Sequence, residues 1–259
     1  MVLVTGAGKR LGRAIAVEMA RAGWDVAAHH RQTPPDDTLA DVRAAGAQAE
    51  AFAADLADEA ACVALAPRVV EHFGRIDAVV NNASLFAYDN VASFGYAAMD
   101  AHWRANTAPA IVLARALHAH LESRGDARAA PGCVVNLVDQ KLWNPNPDYL
   151  SYTLSKAALE AATQLLARAL APVVRVCGVA PGVTLPTEAS MSNAQFDAAQ
   201  AMTALGRSSS SDDIARAVRF LIESPAVTGH TLVVDGGQHL VAQPRDVAFL
   251  AGGAVPTAT

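Results

Sequence analysis

The chain has 259 residues, of which 52% are hydrophobic and 5% aromatic, and its formal net charge is −5 at pH 7. This acidic balance, without a block of like charge, argues against a nucleic-acid-binding surface. No apolar run is long enough to cross a membrane, and the first residues lack the basic head and long apolar stretch of an export signal. We therefore expect a cytoplasmic protein without membrane association.

Short apolar runs alternate with amphipathic stretches almost from end to end. The predicted strands are 2–4, 26–29, 47–53, 78–80, 133–138, 174–179 and 231–234. The predicted helices are 11–22, 37–45, 59–73, 99–122, 149–170 and 212–223. Such alternation is typical of right-handed βαβ units, so we expect an α/β single-domain Rossmann fold, a doubly wound parallel sheet of about seven strands flanked by helices.

This domain should span residues 1–240 and be followed by a C-terminal tail, 241–259. Two segments, 84–98 and 183–205, interrupt the alternation with more irregular sequence. Ligands of open α/β sheets bind beyond the carboxyl ends of the strands, so both segments should border a site. The second is the expected substrate lid. The three cysteines, Cys62, Cys133 and Cys177, stand far apart without ligand spacing, so we expect reduced thiols and no metal site.

A glycine-rich turn follows the first predicted strand and precedes a helix. Glycines there let the backbone approach a pyrophosphate, whose charge is met by the first amides of the helix. The position of the turn at the first βα junction favours dinucleotide binding over a purely conformational role. The predicted cofactor-binding residues of this turn are Gly6, Lys9, Arg10, Leu11 and Gly12.

The end of the second strand indicates which nicotinamide cofactor is bound. An NAD-specific site usually has an acidic residue there, whereas this strand runs into His30 and Arg31, and the first acid is Asp36. A 2′-phosphate would be attracted by Arg31 and approached by Lys9 from the glycine-rich turn. We predict NADP(H) over NAD(H). The alternative is that His30 and Arg31 simply begin a solvated loop.

Tyr152 and Lys156 form a YxxxK pair on a predicted helix, about one turn apart and therefore on the same face. A nearby ammonium should lower the pKa of the phenol, which could then deliver a proton as a hydride arrives. Thirteen positions before the tyrosine stands Asp139. An ionised aspartate only accepts hydrogen bonds, so it suits a substrate that presents N–H groups or a relayed proton. The alternative is a capping aspartate in an inactive enzyme.

Together these motifs resemble the short-chain dehydrogenase/reductase family over roughly residues 1–240. Arg10 replaces the middle glycine of the family's TGxxxGxG motif, and Ser84 replaces the glycine of its NNAG motif. The resemblance implies that Asn106 links Lys156 to solvent through water and that Lys156 binds the nicotinamide ribose. The further cofactor-binding residues that it implies are Asp55, Leu56, Asn82, Ala83, Ser84, Tyr152, Lys156, Pro181, Gly182, Val183 and Thr184.

Three features resemble the pteridine reductases of that family: Arg10, Asp139, and Phe86 in an NASxF stretch. The resemblance implies that Phe86 stacks on a pterin and that Arg10, Asp139 and Tyr152 complete the substrate site. The alternative is that Phe86 is a loop anchor packed into the core. The resemblance also implies a homotetramer, and an NADPH-dependent reductase that transfers a hydride to a small dihydropterin- or dihydrofolate-like substrate. Two alternatives stay open: a general carbonyl reductase, and a catalytically silent NADP-binding sensor.

Overall fold

A computed structural model describes residues 1–125, 131–186 and 191–252. The described residues contain seven parallel strands in one sheet, in the order β3-β2-β1-β4-β5-β6-β7. The order reverses direction between β1 and β4, which is where a doubly wound sheet opens a crevice for a ligand. The strands are β1 (Val2–Val4), β2 (Val26–His30), β3 (Ala49–Ala53), β4 (Ala78–Asn81), β5 (Gly132–Leu137), β6 (Val174–Pro181) and β7 (Thr231–Val234).

Helices cover both faces of the sheet. The α-helices are α1 (Arg10–Arg21), α2 (Asp36–Ala44), α3 (Glu59–Phe73), α4 (Tyr96–His102), α5 (Ala108–Arg124), α6 (Leu150–Ala169), α7 (Asn193–Ala201), α8 (Ser211–Glu223) and α9 (Val247–Leu250). Helices α1, α2 and α8 contribute to one apolar core, and α3, α5 and α6 contribute to the other. The predicted doubly wound α/β fold is therefore confirmed.

The strands are buried on both faces because their side chains alternate between the two cores. In β1, Val2 and Val4 belong to the core under α1, while Leu3 belongs to the core under α5. This two-residue period explains why the strands read as continuous apolar runs in the sequence. The sheet is thus a rigid platform, and the carboxyl ends of its strands can hold a site.

The predicted helix 99–122 is divided in the structure. Helix α4 ends at His102, a π-helical turn covers Trp103–Thr107, and α5 then begins at Ala108. Proline has no N–H, so Pro109 cannot donate to the carbonyl four residues earlier. The N–H of Ala108 instead bonds to the carbonyl of Trp103, five residues back. The hydrophobic period predicted a helix but not this local change of register.

Two segments with no predicted helix contain one. The expected lid, 183–205, includes α7, which starts with a capping box between Ser192 and Gln195. The part of that lid at 187–190 lies outside the described residues. The predicted tail includes α9, and Arg245 binds the buried carboxylate of Asp148 through two hydrogen bonds of 2.8 and 2.7 Å. Residues 241–252 therefore pack against the domain, and the last residues, 253–259, lie outside the described part.

Candidate active site

A cleft of about 1000 Å³ opens at the carboxyl ends of the strands. It is lined by the predicted residues Gly6, Lys9, Arg10, Leu11, Gly12, His30, Arg31, Asp55, Leu56, Asn82, Ala83, Ser84, Phe86, Asp139, Tyr152, Lys156, Pro181, Gly182, Val183 and Thr184. The structure thus brings together residues that are as much as 178 positions apart in the chain, Gly6 to Thr184. Asn106 is the one predicted site residue that does not line this cleft.

The glycine-rich turn is packed too closely for side chains at two positions. Gly6 has a φ of +63°, and a Cβ there would lie 3.1 Å from the Cα of Ala83. A Cβ on Gly12 would overlap the carbonyl oxygen of Gly6 and lie 2.7 Å from Nδ2 of Asn82. Helix α1 starts at this turn, and its N-cap Lys9 makes no side-chain cap. The first amides of α1 are therefore available to an anion in the cleft.

Two polar side chains hold the turn in place. His29 accepts a hydrogen bond from the Gly6 N–H at Nδ1, 3.1 Å away, and its Nε2 donates to the Ala54 carbonyl over 3.0 Å. Burial lowers the pKa of His29 to about 4, against the opposing effect of the Ala54 hydrogen bond. Asn82 donates from Nδ2 to the Thr5 carbonyl at 2.9 Å. Sequence reasoning treated His29 only as a strand residue; the signal was a polar side chain in a buried strand beside a glycine-rich turn.

Arg10 adopts a conformation that glycine tolerates more easily. Its φ is +54°, in the left-handed region, which costs a non-glycine residue about 1–3 kcal/mol. Its guanidinium donates to the carbonyl of Pro186 at 2.8 Å and to that of Leu185 at 3.4 Å. Arg10 therefore connects the glycine-rich turn to the first residues of the expected lid.

The residues at the end of β2 offer positive charge and a free buried nitrogen. Within the described residues, Nδ1 of His30 is a buried side-chain nitrogen without a hydrogen-bond partner. Arg31 and Lys9 are exposed and line the same cleft. A buried nitrogen without a partner and two cations fit a phosphate group. Together with the glycine-rich turn, these residues fit a dinucleotide that carries a 2′-phosphate.

Three ionisable side chains meet at the inner end of the cleft. The Tyr152 hydroxyl donates to Oδ2 of Asp139 at 2.7 Å. Lys156, one turn later on α6, donates from Nζ to the Leu137 carbonyl at 2.6 Å, and its ammonium lies 5.7 Å from the centre of the Tyr152 ring. Both Tyr152 and Lys156 are buried. The predicted Asp-Tyr-Lys set is therefore assembled in a largely dry environment.

The pKa of Tyr152 is raised well above its ordinary value, not lowered as the sequence led us to expect. Burial is the largest cause, followed by the charge of Asp139 and its hydrogen bond to the phenol. Burial also lowers the pKa of Lys156 to about 8, and Asp139 opposes this shift. The sequence showed the ammonium beside the phenol, but it did not show the burial or the close carboxylate that outweigh it. Tyr152 is thus held as a protonated phenol.

Asn106 lies in the π-helical turn that precedes α5. Its Nδ2 donates to Ser155 Oγ at 2.9 Å, and its Oδ1 accepts from the Leu85 N–H at 2.6 Å. It therefore connects helix α6 with the segment that carries Phe86. The implied water link to Lys156 stays a prediction. Turns of π type are frequent at functional sites.

An aromatic wall closes one side of the cleft. Phe86 stacks on Tyr149 with ring centres 4.2 Å apart and meets the Tyr152 ring edge-on at 4.7 Å. Tyr149 in turn lies parallel to Phe249 of helix α9, at 6.0 Å. Sequence reasoning did not include Tyr149 or Phe249, since no motif distinguishes them from packing residues. Phe86 is 46% exposed, so its ring is backed by Tyr149 and still accessible from the cleft.

Sequence reasoning also missed a charged pair in the cleft wall, Lys141 and Asp246. Lys141 lies 3.7 Å from Oδ2 of Asp246 and donates a short hydrogen bond to the Asp148 carbonyl. Burial lowers the pKa of Lys141 and raises that of Asp246. No sequence signal connects two residues 105 positions apart, one of them in a predicted tail.

Other site types find no support within the described ranges. No group of three or more His, Cys, Asp or Glu side chains there could hold a metal ion. No helix in the described part of the chain is both long and apolar enough to cross a membrane. Cys62, Cys133 and Cys177 are buried free thiols.

Comparison with known proteins gives the family. The model of the family described as "Enoyl-(Acyl carrier protein) reductase" matches residues 6–239. The chain belongs to the short-chain dehydrogenase/reductase family. It is an oxidoreductase, and the glycine-rich turn and the YxxxK pair both fall within the matched range.

Several relatives share most of this chain's length. Pteridine reductase 1 of Leishmania tarentolae is 31% identical over 278 residues, covering 93% of this chain and 96% of the relative. FolM alternative dihydrofolate reductase 1 of Brucella canis, solved in complex with NADP, is 36% identical, has a TM-score of 0.83, and covers 95% of this chain and 97% of that one. The corresponding protein of Brucella suis, also complexed with NADP, is 36% identical with a TM-score of 0.86, and covers 93% and 96%.

The glycine-rich turn gives a direct test of cofactor binding. Gly12→Ala should abolish measurable NADPH binding, because the new methyl would overlap the Gly6 carbonyl and push α1 away from the turn. Gly8→Ala is the matched control, since a Cβ there has Pro35 at 3.8 Å, an ordinary contact. Fluorescence titration with NADPH measures both variants. Equal affinities for Gly12→Ala and the wild-type protein would contradict this account of the turn.

His29 should make stability depend on pH in a defined window. Its pKa is 6.5 when unfolded and about 4 when folded, so the unfolded chain binds the extra proton and stability falls as pH drops from 6.5 towards 4. Between about pH 7.5 and pH 4.5 the wild-type protein should lose about 2 kcal/mol more unfolding free energy than His29→Gln. Urea denaturation measures this difference, with His230→Gln, at an exposed position, as the control. Parallel pH curves for wild type and His29→Gln would remove His29 as the cause.

Proposed function

We propose that this protein is an NADPH-dependent reductase that transfers a hydride to a pterin-like substrate, a dihydropterin or a dihydrofolate, with Tyr152 as the proton donor. The observation that carries the proposal is the 2.7 Å hydrogen bond from Tyr152 to Asp139. A carboxylate in this place accepts hydrogen bonds and does not donate one to a ketone oxygen. It therefore favours a substrate that carries N–H groups beside the bond to be reduced.

The NADP(H) prediction agrees with the two Brucella structures, both of which are NADP complexes. In this chain, Arg31, Lys9 and the free Nδ1 of His30 would hold the 2′-phosphate. The amides at the start of α1 would hold the pyrophosphate, since the turn leaves room for backbone but not for side chains. When bound, NADPH supplies the hydride.

Tyr152 supplies the proton. Its raised pKa keeps the phenol protonated at neutral pH, so the proton is in place when the substrate nitrogen becomes basic. Loss of the proton creates a phenolate, and the Lys156 ammonium, 5.7 Å from the ring centre, stabilises that charge. Asp139 orients the phenol before the transfer and accepts substrate N–H groups afterwards.

The position of the Phe86 ring supports a substrate with a flat ring. One side of its ring packs on Tyr149, and the ring is accessible from the cleft. A heteroaromatic ring could extend this stack, and such a contact is worth about 1 kcal/mol beyond the area that it buries. A small aliphatic ketone would gain nothing comparable from Phe86.

The proposal is tested by NADPH oxidation with the purified protein. Dihydrobiopterin, dihydromonapterin and dihydrofolate are compared with a panel of ketones and aldehydes. Turnover confined to the pterins, and lost in Asp139→Ser, supports the proposal. Ketone turnover with inert pterins would instead leave a general carbonyl reductase. NADPH binding without turnover on any substrate would leave a silent cofactor-binding protein.

Tyr152→Phe should reduce kcat by about 100- to 10,000-fold, the usual contribution of a positioned general acid. Only the hydroxyl is removed and the ring keeps its contact with Phe86, so NADPH binding should stay nearly intact. Steady-state rates and fluorescence titration give the two numbers. Tyr96→Phe, at a position 89% exposed, is the control for loss of a phenol hydroxyl. Substantial turnover by Tyr152→Phe would remove Tyr152 as the proton donor.

Arg31→Ala should weaken NADPH binding by about 10- to 100-fold, the value of a hydrogen bond to a charged group. NADH affinity should change little, because NADH lacks the 2′-phosphate. Kd values for both cofactors measure the effect, and Arg21→Ala, an exposed arginine in the last turn of α1, is the control for loss of one positive charge. Equal losses for NADPH and NADH would refute the 2′-phosphate assignment.

A further inference from the structure

The segment after the last strand forms part of the cleft wall and is held firmly. Two hydrogen bonds from Arg245 and one from the Asp246 N–H, at 2.8 Å, meet on the buried carboxylate of Asp148. Asn144 also donates to the Val241 carbonyl at 2.6 Å. Bidentate arginine–carboxylate pairs fix geometry as well as contributing energy. Asp246 is therefore presented to the cleft from a fixed backbone.

The two oxygens of the Asp246 carboxylate have different contacts: one caps a helix, and the other lies near the Lys141 ammonium. Oδ1 accepts the Ala248 N–H at 3.1 Å and so caps helix α9. Oδ2 lies 3.7 Å from the Lys141 ammonium, beyond the roughly 3.2 Å of a direct hydrogen bond. The Lys141 ammonium donates a hydrogen bond to the Asp148 carbonyl, and it lies 5.4 Å from the centre of the Tyr149 ring. Oδ2 therefore keeps acceptor capacity, and Asp246 is one of the residues that line the cleft.

Lys141 also lies between Asp246 and Asp139, the carboxylate that contacts Tyr152. Its backbone N–H donates to Oδ1 of Asp139 at 2.9 Å, while its side chain extends toward Asp246. The ring beneath its ammonium, Tyr149, is the one that supports Phe86. The charge of Asp246, like that of Asp139, adds to the raised pKa of Tyr152. Two carboxylates thus flank Lys141 on the wall that carries the aromatic stack.

We propose that Asp246 is a substrate-binding residue whose Oδ2 accepts a hydrogen bond from an N–H or O–H group of the substrate, as a second acceptor beside Asp139. The inference rests on the proposed function and specifies the substrate further. The substrate must present hydrogen-bond donors at two separate positions. A reduced pterin meets this requirement, because its ring nitrogens and exocyclic amine carry several N–H groups. A simple ketone does not.

Asp246→Asn tests the proposal with little change of shape. The amide oxygen can still cap α9, whereas the amide NH2 replaces the acceptor Oδ2 by a donor that would face the substrate donor. KM for dihydrobiopterin should rise at least about tenfold, as expected for loss of a hydrogen bond to a charged group, while the NADPH Kd stays within about twofold. Calorimetric titration of biopterin into the NADP⁺-bound protein should show the same loss of affinity without turnover.

Asp58→Asn is the matched control, because Asp58 also caps a helix, α3, through its side chain but lies outside the cleft lining, and it should leave KM unchanged. Asp246→Ser, which also caps but is too short to reach the substrate, should raise KM as Asp246→Asn does. An unchanged KM and biopterin Kd in both Asp246 variants, with a wild-type protein that reduces dihydrobiopterin, would overturn the inference and leave the proposed function intact. A wild-type protein that neither binds nor reduces pterins would remove both.

Discussion

The close approach between the Gly6 carbonyl and Gly12 is the constraint on which the site depends. With no Cβ on either residue, α1 starts against the end of β1, and its first amides face the cleft. His29 from β2 and Asn82 after β4 then bond to the turn from either side. The ends of three neighbouring strands are thereby held together by hydrogen bonds between side chains and backbone, so the glycine-rich end of the cleft is preorganised.

The inner end of the cleft depends on electrostatics in a dry environment. A buried phenol, a carboxylate and an ammonium lie side by side; burial is the largest cause of the raised pKa of the phenol, and the carboxylate that contacts the phenol adds to it. Water would screen these charges; burial strengthens their effect on one another. A serine in place of Asp139 would donate a hydrogen bond and leave the phenol without an adjacent anion. The same Tyr152 and Lys156 of α6 would then work in a site of different chemistry.

The sequence predicted what depends on local period and on motifs. All seven strands and the glycine-rich turn follow from alternating apolar runs and glycine spacing, and the structure agrees with their order along the chain. The π-helical turn was not predictable from the hydrophobic period, because it depends on which carbonyl the Ala108 N–H contacts just before Pro109. The raised pKa of Tyr152 depends on burial, and the pairing of Lys141 with Asp246 depends on chain folding. Neither property is encoded in nearby residues.

The attachment of residues 241–252 to the rest of the molecule has a consequence for how the cleft can change. This segment follows the last strand, contributes no residue to the sheet, and touches the cleft chiefly where the substrate would sit. Its main anchor is a single carboxylate, that of Asp148. Substitutions there can remodel one wall of the pocket without disturbing either apolar core or the nucleotide end. Residues 241–252 are thus a segment in which substitutions can change the cleft wall while the sheet and the glycine-rich turn are retained.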